Sequence, residues 1–275
     1  MNEFQTIQKW IEEADAIVIA TGAGMGVDSG LKTFRGEDGQ WGAVEEDENM
    51  SSFEFSNPQY LAENPKAVWQ FFLNRMKEFE AHEPHRGFYI LKEWISKFDL
   101  DYFVLTSNID RYFQRAGFDE NRIREVHGSI WHFQSTEPAG YDQIWENKLP
   151  LEALQIMVDL GEFPICPDGI TMARPNIYMF RDNKYLTTRS DEQKAKYEAF
   201  LDRNQGKNIV VFEIGSGAHV QTIRIKTREL RSNHNAKCVR INPDQAKIKA
   251  PHIGLAKGAL EALEELDDFL SMSLH

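Results

Sequence analysis

Four short apolar runs punctuate the chain: AIVIA at 16–20, YFVLT at 102–106, IVVFEI at 209–214 and CVRI at 238–241. Each is rich in β-branched or aromatic residues and opens into a polar or glycine-rich stretch, the pattern of a strand buried on both faces. Between them the period of the apolar positions changes. Phe88, Leu91, Ile95 and Phe98 recur at helical spacing in 85–98, and Leu260, Leu263, Leu266 and Leu270 align along one face of 257–271. Such alternation predicts an α/β fold: a parallel sheet with helices on both faces, binding its ligands beyond the carboxyl ends of the strands.

Two segments break this rhythm. Residues 38–80 carry the acidic run EEDENM and then a predicted helix bearing Trp69, Phe72 and Met76. Residues 131–190 are irregular and contain Pro138, Pro150, Pro164, Pro167 and Pro175. Both read as insertions that build a small module over the sheet. The expected division places residues 1–37, 82–130 and 205–275 in the main part, with 38–81 and 131–204 in the module. A chain of 275 residues can bury one substantial core of this kind.

Composition narrows the partners. A formal charge of −12 argues against binding the phosphate backbone of nucleic acid, which rests on clustered Lys and Arg. The first residues, MNEFQTIQKWIEEADA, carry acid where a signal peptide needs a basic start and an apolar centre, and no apolar run is long enough to span a bilayer. The expectation is a cytoplasmic protein. Its two cysteines, Cys166 and Cys238, provide no disulfide framework.

The chemistry begins after the first strand, in ATGAGMGVDSGLKTFRG (20–36). Glycines placed there let the backbone approach a pyrophosphate, although the same residues would also serve a simple tight turn. The spacing is not that of a dehydrogenase: after Gly22 and Gly24, the third glycine position of G-x-G-x-x-G holds Val27. No G-K-[ST] follows, so a P-loop is excluded. A second constellation, TSNIDRYFQRAG (106–117) followed by VHGS (126–129), puts Asn108, Asp110 and His127 at the same sheet edge. A lone histidine is usually structural, but this one has company.

With these motifs in place, the sequence resembles the sirtuins, the NAD-dependent protein deacylases. GAGMGVDSGLKTFRG is similar to the family's G-A-G-x-S-x-x-S-G-I-P-x-F-R-G, TSNID to T-Q-N-I-D, and VHG to the catalytic His-Gly. GSGAHV (215–220) resembles the G-T-S-x-x-V loop, RIN (240–242) the strand end that meets the adenosine ribose, and RPNIYMFRD (174–182) the R-P-x-V-V-x-F-G-E segment beside the acyl-lysine tunnel. The resemblance implies a Rossmann-like, sirtuin-type NAD-binding fold, with NAD as co-substrate and an acylated protein or peptide as partner. Carried over by position, Gly22, Ala23, Gly24 and Arg35 would contact the phosphates, with Gly215 and Ser216 nearby. Phe34 would shield the reacting ribose carbon, Ser107 and Asn108 would lie at the ribose, and Ile109 and Asp110 would receive the nicotinamide carboxamide. Asn242 would bind the adenosine ribose. Ile177, Phe180 and Arg181 would line the substrate side, and His127 would be the general base.

The departures are informative. Sirtuins often hold a structural zinc on two C-x-x-C pairs, whereas HFQSTEPAG (132–140) has no cysteine and CPDG retains Cys166 alone. No zinc is expected, and the chain reads as a divergent, bacterial-type member without the zinc cysteines. His132 with Cys166 would be a remnant two ligands short. HEPH (82–85) lacks the i, i+4 pair of a zinc helix and reads as a helix start. Thr33 stands where many sirtuins have Asp, and Ser107 where they have Gln. Arg181 replaces a glycine, with two readings open: it narrows or charges the tunnel, or it points to solvent. Three functional readings follow. They are a lysine deacylase, an NAD glycohydrolase or ADP-ribosyltransferase of the same fold, and a non-catalytic NAD or ADP-ribose binding module, the last disfavoured because binding needs no base.

Overall fold

The computed structural model describes residues 2–32 and 51–272. The first helix, α1 (Glu3–Glu12), starts at a capping box in which Asn2 and Gln5 exchange side-chain and backbone bonds, and it buries Ile7 and Ile11. Strand β1 (Ala16–Thr21) follows, then α2 (Pro65–Ala81), α3 (Arg86–Lys97), β2 (Asp101–Thr106), β3 (Ile123–Glu125), β4 (Gly128–Ser135) and β5 (Trp145–Glu146). The remaining principal elements are α4 (Leu151–Leu160), β6 (Ala173–Ile177), α5 (Thr188–Arg203), β7 (Ile209–Ile214), α6 (Thr222–Asn233), β8 (Lys237–Ile241), β9 (Ile253–Leu255) and α7 (Ala259–Met272).

Among the described residues, six strands form one parallel sheet in the order β3-β2-β1-β7-β8-β9. The four apolar runs occupy its centre. In β1 every residue is buried, and the faces alternate: Ile17 and Ile19 join the core beneath α1, α3 and α7, while Ala16, Val18 and Ala20 join the one beneath α5 and α6. Parallel strands covered on both sides are near-continuously apolar, which is why these runs show no polar alternation. The expected helices are present, although Leu260 is only half-buried and Ala259 and Ala262 fill the inner face of α7 beside Leu263.

A smaller antiparallel sheet, β5-β4-β6, lies beside the large one. Helix α2 packs on β4 and α4, with Trp69 and Phe133 meeting edge to face at 5.4 Å. Segments from both insertions therefore share this module. Its expected far limit at residue 204 does not match the packing. Tyr197 and Phe200 of α5 lie on Phe103 of β2, with ring centroids 5.2 and 5.6 Å away, so α5 covers the large sheet. No described helix is long and apolar enough to cross a membrane.

Candidate active site

The strand order reverses between β1 and β7, each of which leads into a glycine loop at its carboxyl end. The Gly22 N–H donates to Ile214 O at 3.0 Å and the Gly24 N–H to Gly215 O at 3.1 Å. A Cβ on Gly24 would lie 2.6 Å from Gly215 Cα, and one on Gly215, whose φ is 65°, would lie 2.4 Å from the Gly24 carbonyl carbon. The glycines thus do more than make a turn: they let the two loops interlock backbone against backbone at the switch point, where ligands of doubly wound sheets bind. Thr33, Phe34 and Arg35, from the same motif, lie outside the described residues.

Strand β2 ends beside this junction. Thr106 Oγ1 accepts from the Thr21 hydroxyl at 2.8 Å and from the Asn108 N–H at 3.0 Å, while the Ser107 N–H donates to Thr21 O at 3.0 Å. Asn108, Ile109 and Asp110 are all buried and line one small pocket with Ala23 and Arg75. The Asp110 carboxylate accepts the Tyr112 N–H at 2.9 Å. Burial pushes this carboxyl up to about 6, with Glu125 acting in the same direction and Arg75 against it.

His127 follows β3 at the same edge, where the Val126 N–H donates to Thr106 O at 2.8 Å. Its ring Nε2 is 3.3 Å from Thr222 Oγ1 at the start of α6. Burial holds the imidazole below its ordinary value, and a hydrogen bond to the Ser107 carbonyl opposes that shift only in part. The ring is therefore neutral at pH 7. A neutral imidazole that spends its N–H on a carbonyl keeps a lone pair on its other nitrogen, the form a base needs. Gly128 has φ 80°, and a Cβ there would fall 2.0 Å from Asn176 O, so the His-Gly pairing is imposed by β6.

That strand carries the substrate-side candidates. Ile177 pairs with Gly128, and the Tyr178 N–H donates to His127 O at 3.0 Å. The turn beyond is closed by a buried ion pair: Arg174 Nη2 reaches the two carboxylate oxygens of Asp182 at 3.0 and 2.8 Å. The Phe180 N–H donates to Ser56 O at 2.9 Å, and its ring is 4.8 Å from that of Phe53. Arg181 is exposed, with φ 53° and its guanidinium 4.9 Å above the Phe53 ring. A positive φ is a conformation that glycine, the residue of the family motif at this position, adopts without strain.

On the opposite side, Ser216 and Asn242 are already engaged. The Ser216 hydroxyl donates to Glu213 Oε1 at 2.6 Å, and Asn242 Nδ2 donates to Ser216 O at 3.1 Å. Asn242 Oδ1 also accepts the N–H groups of Asp244 and Gln245. Glu213 is fully buried and bonded to Arg240 through Nε at 2.6 Å and Nη2 at 3.1 Å. Sequence reasoning did not single out this pair. The signal was available: a lone acid in IVVFEI and a lone base in CVRI, which the strand register places side by side.

The zinc question falls on the small module. The Cys166 thiol shares a hydrogen bond with the Ser135 hydroxyl and lies 3.8 Å from Met172 O. His132 has other neighbours, lining a cleft of about 730 Å³ with Glu146 and Arg189. Burial and Arg189 push His132 down to about 4. Among the described residues, no group of three or more His, Cys, Asp or Glu side chains is arranged to hold a metal ion.

Comparison with known proteins agrees with this arrangement. The Sir2 family profile matches residues 22–221. An NAD-dependent protein deacylase of Aquifex aeolicus is 25% identical over 255 residues, covering 92% of this chain and 95% of its own. One from Leptospira interrogans serovar copenhageni is 25% identical over 252 residues, 91% of this chain and 89% of its own. A solved Sir2 homologue in complex with NAD superposes with a TM-score of 0.77 at 23% identity, covering all of this chain and 96% of that one, a likeness of fold. A Sir2 bound to a deacetylated p53 peptide and 3′-O-acetyl ADP-ribose gives 0.72 at 19% identity, covering 98% of each chain. With a family profile that matches residues 22–221, most of its length, this chain belongs to the Sir2 family.

Proposed function

We propose that this protein is an NAD-dependent protein lysine deacylase. It transfers the acyl group of a modified lysine to ADP-ribose, consuming water and releasing nicotinamide and free lysine. The observation that carries this reading is His127. A neutral imidazole stands at the sheet edge, bonded to the Ser107 carbonyl beside Asn108 in the chain and directly before β4, whose first residue pairs with Ile177 of β6, and a binding module would have no use for it.

The residues of the crevice fit NAD. A buried carboxyl at Asp110, raised by burial, gains from a donor such as the carboxamide N–H of nicotinamide. Asn108, in the same pocket, orients the ribose, while Ala23, with Gly22, Gly24, Gly215 and Ser216, shapes the phosphate side. Phe34 and Arg35 remain candidates from the motif alone, and Asn242 for the adenosine ribose. When bound, NAD supplies an electrophilic ribose carbon that the acyl-lysine carbonyl oxygen captures as nicotinamide departs. His127 takes a proton from a ribose hydroxyl, which allows the acyl group to pass to the sugar. The peptide lies along the segment Ile177–Arg181 by strand addition. No structural zinc has a part in this reading.

Mass spectrometry of the purified protein with NAD and acetylated, succinylated or long-chain acylated lysine peptides tests the proposal. Peptide-dependent O-acyl-ADP-ribose supports it and names the acyl group. ADP-ribose or ADP-ribosylated protein formed without an acyl peptide would overturn it in favour of a glycohydrolase or ADP-ribosyltransferase. His127→Ala is expected to abolish deacylation while retaining NAD binding. Asn108→Ala is expected to slow nicotinamide release, so a normal rate would contradict its ribose role.

A further inference from the structure

The segment His82–His85 is a helix start, as its spacing suggests, but it also lies against the glycine loop. His85 caps α3 and is buried, with 8% of its surface exposed. Its Nδ1 accepts the Gly87 N–H at 3.0 Å, and its Nε2 lies 2.8 Å from the Met25 carbonyl oxygen. Its own N–H donates to Ser29 Oγ at 2.9 Å. A ring nitrogen that accepts from an N–H carries no proton, so the proton sits on Nε2 and is donated to Met25 O. One tautomer of the neutral ring satisfies both contacts.

The loop needs such support. Between Gly22 and Gly30 it consists of two short 3₁₀ turns, Ala23–Met25 and Val27–Ser29, which have little stability of their own. It is pinned from three directions: Gly24 on Gly215, Met25 and Ser29 on His85, and Asp28 through its carboxylate to the Leu260 N–H of α7 at 2.8 Å. Gly30 packs on His82, where a Cβ would come within 2.7 Å of Cδ2.

We infer that His85 is a positioning residue for NAD. It does not touch the reacting groups; acting through Met25 and Ser29, it holds the glycine loop in its binding shape before NAD arrives. The inference rests on the NAD reading above. A loop left free would have to be ordered during binding, and ordering one residue's backbone corresponds to roughly tenfold in affinity.

His85→Asn separates this role from the helix cap, because asparagine is a favoured N-cap yet too short to reach Met25 O. His85→Gln, with a longer amide, restores a donor toward that carbonyl. Three measurements on the full chain decide the matter: NAD titration calorimetry, steady-state kinetics with NAD and an acyl-lysine peptide, and amide hydrogen exchange of the ligand-free protein over 22–31 and 86–97. The expected result for His85→Asn is NAD affinity weaker by about tenfold or more, falling on KM for NAD rather than on kcat. Exchange should be faster in the loop with α3 still protected, and His85→Gln should recover part of both effects. Loop exchange unchanged in His85→Asn would overturn the inference, as would wild-type affinity. A wild-type chain that bound no NAD would instead count against the functional reading, and the exchange data would still decide the role of His85.

Discussion

Removing the carboxylate of Asp182 tests how the substrate-side turn is held. Arg174 and Asp182 are 1% and 0% exposed, and the carboxylate also receives the N–H of Lys184 at 3.1 Å. Asp182→Ala leaves a guanidinium buried without its counter-charge, and breaking a pair this deep costs about 3–5 kcal/mol. In a chain of this size each kcal/mol lowers Tm by roughly 2–4 °C, so a fall on the order of 10 °C is expected. Urea unfolding followed by tryptophan fluorescence measures it as a shift in midpoint at constant m value. The companion variant carries Arg174→Met as well. Replacing both charges with apolar volume is often close to neutral, so the double variant should recover most of the loss. A single variant that costs less than about 1 kcal/mol, or a double variant as damaged as the two singles added together, would refute this account.

Two further predictions concern the loops and the acid limb of stability. Gly24→Ala drives a Cβ into the Gly215 backbone, which no rotamer can relieve, so NAD binding should weaken by roughly tenfold or more; Gly217→Ala, with open space around it, is the control, and equal effects of the two would sink the interlocking argument. His132 titrates near 6.5 when unfolded and is held at about 4 in the fold, so its contribution to stability is complete above pH 6.5 and is lost as pH falls toward 4. His132→Gln should flatten the midpoint-against-pH curve in that window, and an unchanged slope would contradict the burial of this ring.

The central strands were legible in the sequence because burial on both faces leaves a near-continuous apolar run. The edges were not. β3 and β9 are three residues long, too short to show a period. Helix α4 was hidden among prolines read as irregular, yet Pro150 stands at its N-cap and marks its start. Helix α5 buries only Gln193, Tyr197 and Phe200 of its 16 residues, so it carries no apolar stripe to read. In the site, the motif residues could be placed at one edge because strands of a parallel sheet deliver their carboxyl ends together. The contacts of His85 and Thr222 were out of reach, since each depends on how a helix start is set against a loop distant in sequence.

The position of β1 in the sheet has a consequence for synthesis. Ala16 pairs with Asp101 on one side and with Ile209 on the other. A ribosome adding about 5–20 residues per second needs roughly 10–40 s to reach the second partner after making the first strand. During that interval the first fully buried strand has one edge waiting for a neighbour that has not been translated. Expression at lower temperature or with chaperones should therefore favour soluble product, since the exposed edge is a template for pairing with other nascent chains.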